Sequence, residues 1–383
     1  MTEDLEHPST HPPLPPTTED DRISWLRLLR SRRVGPSTFY RLLNEHVTAQ
    51  AALEALPDVA AAAGVKDYQT CPEGVVLAEI RAAKAAGAQM ICAGTPDYPR
   101  DLMQISDAPP FFWAIGDVSV LSRPMVALVG ARNASSLGLR MARALASDLG
   151  DKGYVIVSGM ARGIDTAAHQ AALSSGTVAV LGGGVDVMYP AENTNLAHEI
   201  AESGVRLSEQ PMGLTPQARH FPRRNRIISG ISRATIVVEA AAKSGSLITA
   251  RNALDQGREV LAVPGHPFDA RAAGCNLLIR DGARLVRNAD DVIEALPQTE
   301  TAPVQIDMPL EHSTEPPPPR HSPAQTANLH TMILERLGPS PIAEDQLIRD
   351  LAAPAHNVSP VLVDLELEGR IKRQAGGLLA LAE

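Results

Sequence analysis

The sequence predicts an α/β protein in which a doubly wound, mostly parallel sheet lies between a helical N-terminal unit and a small C-terminal unit. Three observations carry this. Between residues 125 and 296 short β-branched runs alternate with helical stretches, the pattern of a parallel sheet covered on both faces. Aromatic residues make up only 3% of the chain while Ala, Leu and Val dominate, which favours helices and parallel strands over a β-sandwich. The length of 383 residues exceeds one ordinary domain, so two or three are expected.

Residues 1–21 carry Glu3, Asp4, Glu6, Glu19, Asp20 and Asp21 with no Lys or Arg and several prolines, so they read as a disordered acidic tail. Residues 22–90 form the first folded unit, with apolar residues at helical spacing in Trp25, Leu26, Leu28 and Leu29 and again in Phe39, Leu42 and Leu43. The step Val34-Gly35-Pro36-Ser37 resembles the turn of a helix-hairpin-helix or SAM-like domain. Such a turn can hold a DNA phosphate on backbone N–H groups, although it is commoner in plain helical packing. Residues 91–296 hold the sheet, with strands expected at 126–130, 154–158, 178–181, 205–208, 235–239 and 260–264. Ligands of such a sheet bind beyond the carboxyl ends of the strands.

Residues 297–324, proline-rich and with four acids against the single Arg320, read as a linker. Residues 325–383 show three short amphipathic helices, at 329–337, 342–351 and 360–367, and then a basic hairpin over 369–379, which is winged-helix order. Winged helices enter duplex DNA or dock proteins, and seven acids, from Glu335 to Glu368, make this one acidic.

A net charge of -9 looks wrong for a nucleic-acid binder. Tail and linker account for it, however, and what remains is nearly neutral with clustered arginines. Cys71, Cys92 and Cys275 are far apart and odd in number, so neither a disulfide framework nor a metal cluster is expected, and no cofactor is implied. No charged leader precedes an apolar stretch and no apolar run approaches bilayer length, so a soluble cytoplasmic protein is expected.

The loops after the strands carry the unusual residues. The first reads Gly130-Ala131-Arg132-Asn133-Ala134-Ser135-Ser136-Leu137-Gly138. Glycine allows close approach of an anion, Ser135 or Ser136 can cap the following helix, and a helix N-terminus offers N–H groups to phosphate. This is not the dinucleotide fingerprint, because Arg132 replaces the second glycine and supplies a bidentate donor instead. The next loops read Ser158-Gly159-Met160-Ala161-Arg162-Gly163-Ile164-Asp165 and Gly182-Gly183-Gly184-Val185-Asp186. Asp165 and Asp186 could be a carboxylate pair, but Asp165 is better placed to cap its helix through His169. Residues 210–238 hold Arg219, Arg223, Arg224, Arg226 and Arg233 and no acid. Within them Phe221-Pro222-Arg223-Arg224-Asn225-Arg226 mixes an aromatic and an amide with guanidinium groups, the combination that stacks splayed bases and grips a single-stranded backbone. Lys243-Ser244-Gly245-Ser246 opens one more helix. Glu239 is the one acid at a strand end fit to act as a base, and it reads better as a carboxylate holding the neighbouring arginines.

Taken in order, the segments G-A-R-x-x-S, S-G-M-A-R-G-I-D, G-G-G-V-D-x-x-Y-P-x-x-N, S-E-x-P-x-G, F-P-R-R-N-R-I-I-S-G, V-V-E-A-x-x-x-S-G-S-L-I-T-A and A-V-P-G closely resemble the DNA-processing protein A (DprA/Smf) family. The resemblance implies an extended Rossmann-like fold and non-enzymatic binding of single-stranded DNA. It also implies dimerisation and loading of the recombinase RecA in natural transformation and recombination. Carried over by position, it points to Arg132, the Ser158-Gly159 loop, Phe221, Arg223, Asn225, Arg226 and the 243–246 loop as DNA contacts. Gly130, Ser135, Ser136, Arg162, Gly163 and Arg224 join them from the loop chemistry above. Leu137 departs from the family, which commonly has an aromatic there. The alternative is a nucleotide phosphoribohydrolase of the lysine-decarboxylase-like proteins, whose P-G-G-x-G-T loop is here Ser244-Gly245-Ser246-Leu247-Ile248-Thr249. A nucleotide-sensing scaffold acting through its winged helix is the third reading.

Overall fold

The computed structural model describes residues 14–296, 323–338, 341–351, 353–374 and 378–382. Residues 1–13 of the expected tail, and the expected linker up to residue 322, lie outside the described residues. The chain divides into two compact units, Met1–Thr299 and Glu300–Glu383.

The first unit opens with four helices, α1 (Glu19–Arg30), α2 (Pro36–His46), α3 (Ala49–Ala62) and α4 (Glu73–Ala85). Helix α1 begins inside the stretch read as tail. Thr18 accepts from the Asp21 N–H at 3.1 Å while the Asp21 carboxylate accepts from the Thr18 N–H at 3.1 Å, a closed capping box. Glu19, Asp20 and Asp21 therefore complement the positive end of a helix rather than belonging to a solvated charge run. Pro36 occupies the first turn of α2 after Gly35, where its missing N–H costs nothing.

The sheet follows as β1 (Gln89–Cys92), α5 (Arg100–Met103), β2 (Phe111–Gly116), β3 (Met125–Val129), α6 (Ser136–Asp151), β4 (Val155–Ser158), α7 (Ile164–Ala172), β5 (Thr177–Val180), α8 (Thr194–Ser203) and β6 (Val205–Ser208). It continues through α9 (His220–Gly230), β7 (Ala234–Val237), α10 (Ser246–Asp255), β8 (Glu259–Ala262), α11 (Ala273–Arg280), β9 (Arg284–Leu285) and α12 (Ala289–Ala295). Nine strands lie in the order β1-β2-β6-β5-β4-β3-β7-β8-β9, against the six expected. The extra strands are β1, β2 and β9. The first two are antiparallel additions at one edge, and the four leading residues of β2 are all buried, so it lacks the alternation that marks a strand in sequence. Strands β3 to β9 are parallel throughout; β3 to β7 are buried along their whole length, whereas both residues of the edge strand β9 are exposed. Successive strands step outward from β3 through β4, β5 and β6, then restart on its other side with β7, so the order reverses between β3 and β7. That reversal is the switch point at which doubly wound sheets bind ligands.

The helices share a core with the sheet. Trp25, Leu28, Phe39 and Leu42 belong to one buried cluster with Phe111, Phe112 and Trp113 of β2. At its centre the Glu79 carboxylate of α4 takes two hydrogen bonds from Arg30 of α1, at 2.7 and 2.9 Å, and a third from Trp113 Nε1 at 2.8 Å. Arg30 also donates to the Glu209 carbonyl beyond β6 and lies over the Phe111 ring. Glu79 and Trp113 are buried, Arg30 is largely so, and these groups satisfy one another, which is the condition for such an ion pair to persist.

The second unit contains α13 (Pro323–Arg336), β10 (Ile342–Ala343), α14 (Glu344–Asp350), α15 (Ala355–Leu367), β11 (Ile371–Gln374) and β12 (Leu378–Leu381). Its three strands run β10-β12-β11, and Ile333, Leu347, Leu362 and Leu379 close its core. This is a winged helix. The hairpin is shifted from the expected span by a few residues, and residues 375–377 of it lie outside the described residues.

Glu79→Ala leaves Arg30 buried without a counter-charge and Trp113 without an acceptor, so unfolding in urea is expected at a lower midpoint, by about 3 kcal/mol of stability. An unchanged midpoint would show that the helices are held to the sheet by apolar contact alone.

Candidate nucleic-acid interface

Helix α9 is where the arginine-rich stretch lies, and its residues divide by the direction they face. Arg224 faces inward and is buried. Its Nη1 donates to the Gly159 carbonyl at 2.7 Å and to the Val180 carbonyl at the end of β5, and its Nε donates to Asn225 Oδ1 at 3.2 Å. Burial pushes its pKa down to about 10, against the pull of Asp165, so it stays charged at neutral pH. Asp165 in turn accepts the N–H groups of Gly159 at 3.1 Å and Ala161 at 3.3 Å. Burial raises its carboxyl above the ordinary value, opposed by Arg224 and by these N–H groups. A side chain at position 159 would put its Cβ 2.5 Å from the Arg224 guanidinium, so glycine is required for the brace to fit.

The N-terminus of α6 is occupied by the protein itself. Ser135 caps it, accepting from the Gly138 N–H at 3.0 Å, and Glu239 at the end of β7 accepts both the Ser135 hydroxyl at 2.5 Å and the Ser135 N–H at 2.9 Å. A Cβ at position 138 would stand 2.4 Å from the Glu239 carboxyl carbon. The carboxylate takes the place an incoming phosphate was expected to fill. Helix α10, in contrast, has no side-chain cap, and Ser244 and Ser246 at its start bond each other at 2.8 Å.

Between these two helix starts, over the carboxyl ends of β3 and β7, lies a cavity of about 880 Å³. Gly130, Arg132, Asn225, Lys243, Ser244, Gly245 and Ser246 line it, as does Arg271 from the segment after β8. Phe221 forms an aromatic wall with Tyr189, ring centroids 5.7 Å apart, and the Arg132 guanidinium stands 5.6 Å from the Phe221 centroid. Arg132 and Lys243 are exposed and have no carboxylate partner among the described residues.

Several expected contacts are turned away from the cavity. Ser158 is buried and donates to the Leu128 carbonyl at 2.6 Å, tying β4 to β3. Gly159 spends its N–H on Asp165 and its carbonyl on Arg224. Arg226 faces the opposite side of α9 and pairs with Glu209 and, at 3.2 Å, with Asp107. Arg223 and Ser136 are exposed but do not line the cavity, and Arg162 stands 3.7 Å from Glu192 at its margin. Gly163 begins α7 against the backbone of Ala131 and Arg132. Glu239 is held by Ser135 rather than by the arginines, and Asp165 holds its own loop rather than acting through His169, which bonds Thr177 Oγ1 at 2.7 Å. Tyr189 and Arg271 are site residues that sequence reasoning left out. Tyr189 was visible in the Y-P step of its motif, whereas Arg271 enters only because the segment after β8 folds back.

Comparison with known proteins follows the same outline. Residues 89–297 match the family described as DNA recombination-mediator protein A, residues 19–82 a DprA-like N-terminal HHH domain, and residues 316–377 a DprA winged helix domain. The chain is 43% identical to DNA processing protein DprA of Bacillus subtilis over 222 residues, covering 57% of this chain and 75% of that protein. It is 37% identical to protein Smf of Escherichia coli over 299 residues, covering 76% and 77%. The X-ray structure of DNA processing protein A from Streptococcus pneumoniae superposes with a TM-score of 0.56 at 35% identity, covering 69% of this chain and 99% of that one. A structure from Helicobacter pylori, reported for a single-stranded DNA binding mode of DNA processing protein A, gives 0.50 at 29% identity, covering 55% and 96%.

His169 supplies a test of the packing under the site. Burial, with Arg224 nearby, lowers its pKa to about 3, whereas the unfolded chain protonates it near 6.5. Between those values the unfolded state binds one more proton, so stability falls by about 1.4 kcal/mol per unit as pH drops through that window. In His169→Gln the difference in slope between pH 7 and pH 5 should vanish. Parallel slopes for the two proteins would place a protonated imidazole in the fold.

Proposed function

Because the chain belongs to the DNA recombination-mediator protein A family, we propose that it binds single-stranded DNA without cutting it, as a DNA-processing protein of natural transformation. The observation that carries this reading is the lining of the cavity, where the Arg132 guanidinium stands over the Phe221 ring beside Tyr189, and where Arg132 and Lys243 have no carboxylate partner among the described residues. Cations without counter-charges suit phosphodiesters, and aromatic faces suit bases that are free to splay. A duplex would need an element able to enter a groove. Within the α/β unit, helix α9 is ill suited to that, since Arg224 and Arg226 are spent on internal partners. The single-stranded DNA binding reported for the Helicobacter pylori protein supports the same reading.

The family resemblance further suggests RecA as the partner that takes over the strand, in the cytoplasm, and a homodimer as the working form. Leu277 on α11 and Leu285 on the edge strand β9 are exposed apolar residues suited to such a contact. No described helix is long and apolar enough to cross a membrane. Against a nucleotide hydrolase, Glu239 has both oxygens engaged by Ser135, and Asp165 is engaged by two N–H groups beside Arg224, so neither is poised as a base. Turnover of nucleotides that disappears in Glu239→Gln would reverse that assignment.

Oligo-dT should bind far more tightly than blunt duplex, with a log-log salt slope of about -0.7 per phosphate neutralised. Arg132→Ala should weaken binding by roughly 1.5 to 3 kcal/mol without changing the unfolding midpoint, while Arg226→Ala should chiefly lower the midpoint. Equal affinity for duplex, or an Arg132→Ala protein that binds like the parent, would remove the proposed mode.

A further inference from the structure

We propose that the strand path continues past the switch-point cavity to a second base-stacking step, made by Phe268 and His266 in the segment after β8. The inference rests on the single-strand reading above and extends it. Phe268 is 95% exposed, the highest value for any large apolar side chain among the described residues. Its ring lies 5.6 Å from that of His266, tilted by 38°, so two aromatic faces stand together in solvent. The segment that presents them is anchored at both ends. Gly265 and Asn276 exchange two hydrogen bonds, at 3.2 and 3.0 Å, and the Arg271 carbonyl accepts from the Ala240 N–H at 2.8 Å.

The surroundings match what a strand requires. Arg271, steadied by Asp269 at 3.0 and 3.1 Å, borders the main cavity. On the other side of Glu239 a second cavity, of about 480 Å³, is bordered by His266 and Asp269 of the same segment and by Arg140 of α6. Leu137, Met141 and Val263 give it an apolar lining, and Arg140 has no carboxylate partner among the described residues. The segment from His266 to Arg271 therefore touches both cavities, with rings at its crest and a guanidinium in each hollow. A base leaving the Phe221 wall over Arg271 meets a second stacking face there, and Arg140 is available to the phosphate beyond. Continuity with the first cavity, and the Arg140 guanidinium standing without a carboxylate partner among the described residues, favour a nucleic-acid strand over a protein partner.

The experiment uses the full chain and oligo-dT strands from about 6 to about 30 nucleotides, read by fluorescence anisotropy, with Phe268→Ala and His266→Ala as variants. Short strands should bind parent and variants alike. Affinity of the parent should rise with length, and Phe268→Ala should forfeit about tenfold on the longer strands. Strands carrying 5-iodouracil should crosslink to the peptide containing Phe268 only when long enough to reach it. Phe268→Trp, which keeps a stacking face, should restore the length dependence. If the parent binds short strands but Phe268→Ala matches it at every length, or if crosslinks never reach residues 266–271, the second step is wrong while the first cavity stands. If Phe268→Ala alters only sedimentation, the ring is a protein contact and the inference falls. A parent that binds no strand at all removes the underlying reading, and this one with it.

Discussion

Arg224 is a buried cation whose hydrogen bonds go to the carbonyl of Gly159, the carbonyl of Val180 and the amide of Asn225, with Asp165 supplying nearby negative charge. Interior charge is tolerated only when its partners are fixed in place, so satisfying this guanidinium fixes the ends of β4 and β5 and the start of α9 relative to one another. The same guanidinium lies 5.9 Å from the Phe221 centroid, on which Arg132 also bears. Phe221 thus has both a structural cation and an exposed one near its ring. The aromatic wall of the cavity is presented by the same contacts that close the loops behind it.

The electrostatics of the cavity follow from which anion sites the protein fills for itself. At α6 the partial positive charge is met by Glu239, so the loop after β3 contributes the Arg132 side chain rather than a row of N–H groups. At α10 no carboxylate intervenes, and two serines, a glycine and Lys243 remain at the cavity surface. A site made in this way depends on mobile side-chain cations as much as on fixed backbone, which suits a ligand whose bases vary and whose backbone does not.

Much of this was legible in the chain. Parallel strands buried on both faces announce themselves as β-branched runs, and glycine, arginine and serine at their ends mark the binding edge whatever the ligand. The fold class, the winged helix and the switch-point loops were therefore readable. The direction in which a residue faces was not. In Phe221-Pro222-Arg223-Arg224-Asn225-Arg226 the arginines look alike, yet helical spacing sends Arg224 into the interior and Arg226 to Glu209 on another side. The acidic partners of Arg226 are Asp107, far away in sequence, and Glu209, just before the stretch begins, so the absence of acids within it misled. Strand β2 escaped notice because its buried run, Phe111-Phe112-Trp113-Ala114, is neither alternating nor β-branched, and Glu19 to Asp21 looked like solvated charge until Thr18 closed a cap on them.

The two close fits at Gly138 with Glu239 and Gly159 with Arg224 bear on how such a chain can diverge. In each, a hydrogen atom on one residue leaves the volume that a long charged side chain of another fills. Neither member can drift alone: a larger residue at 138 or 159 evicts its partner, and a shorter one at 239 or 224 opens a void and strands polar groups. The four positions are therefore expected to be inherited as two couples, changing together or not at all, so that a lineage that lost one couple would have rebuilt that edge of the sheet by another route.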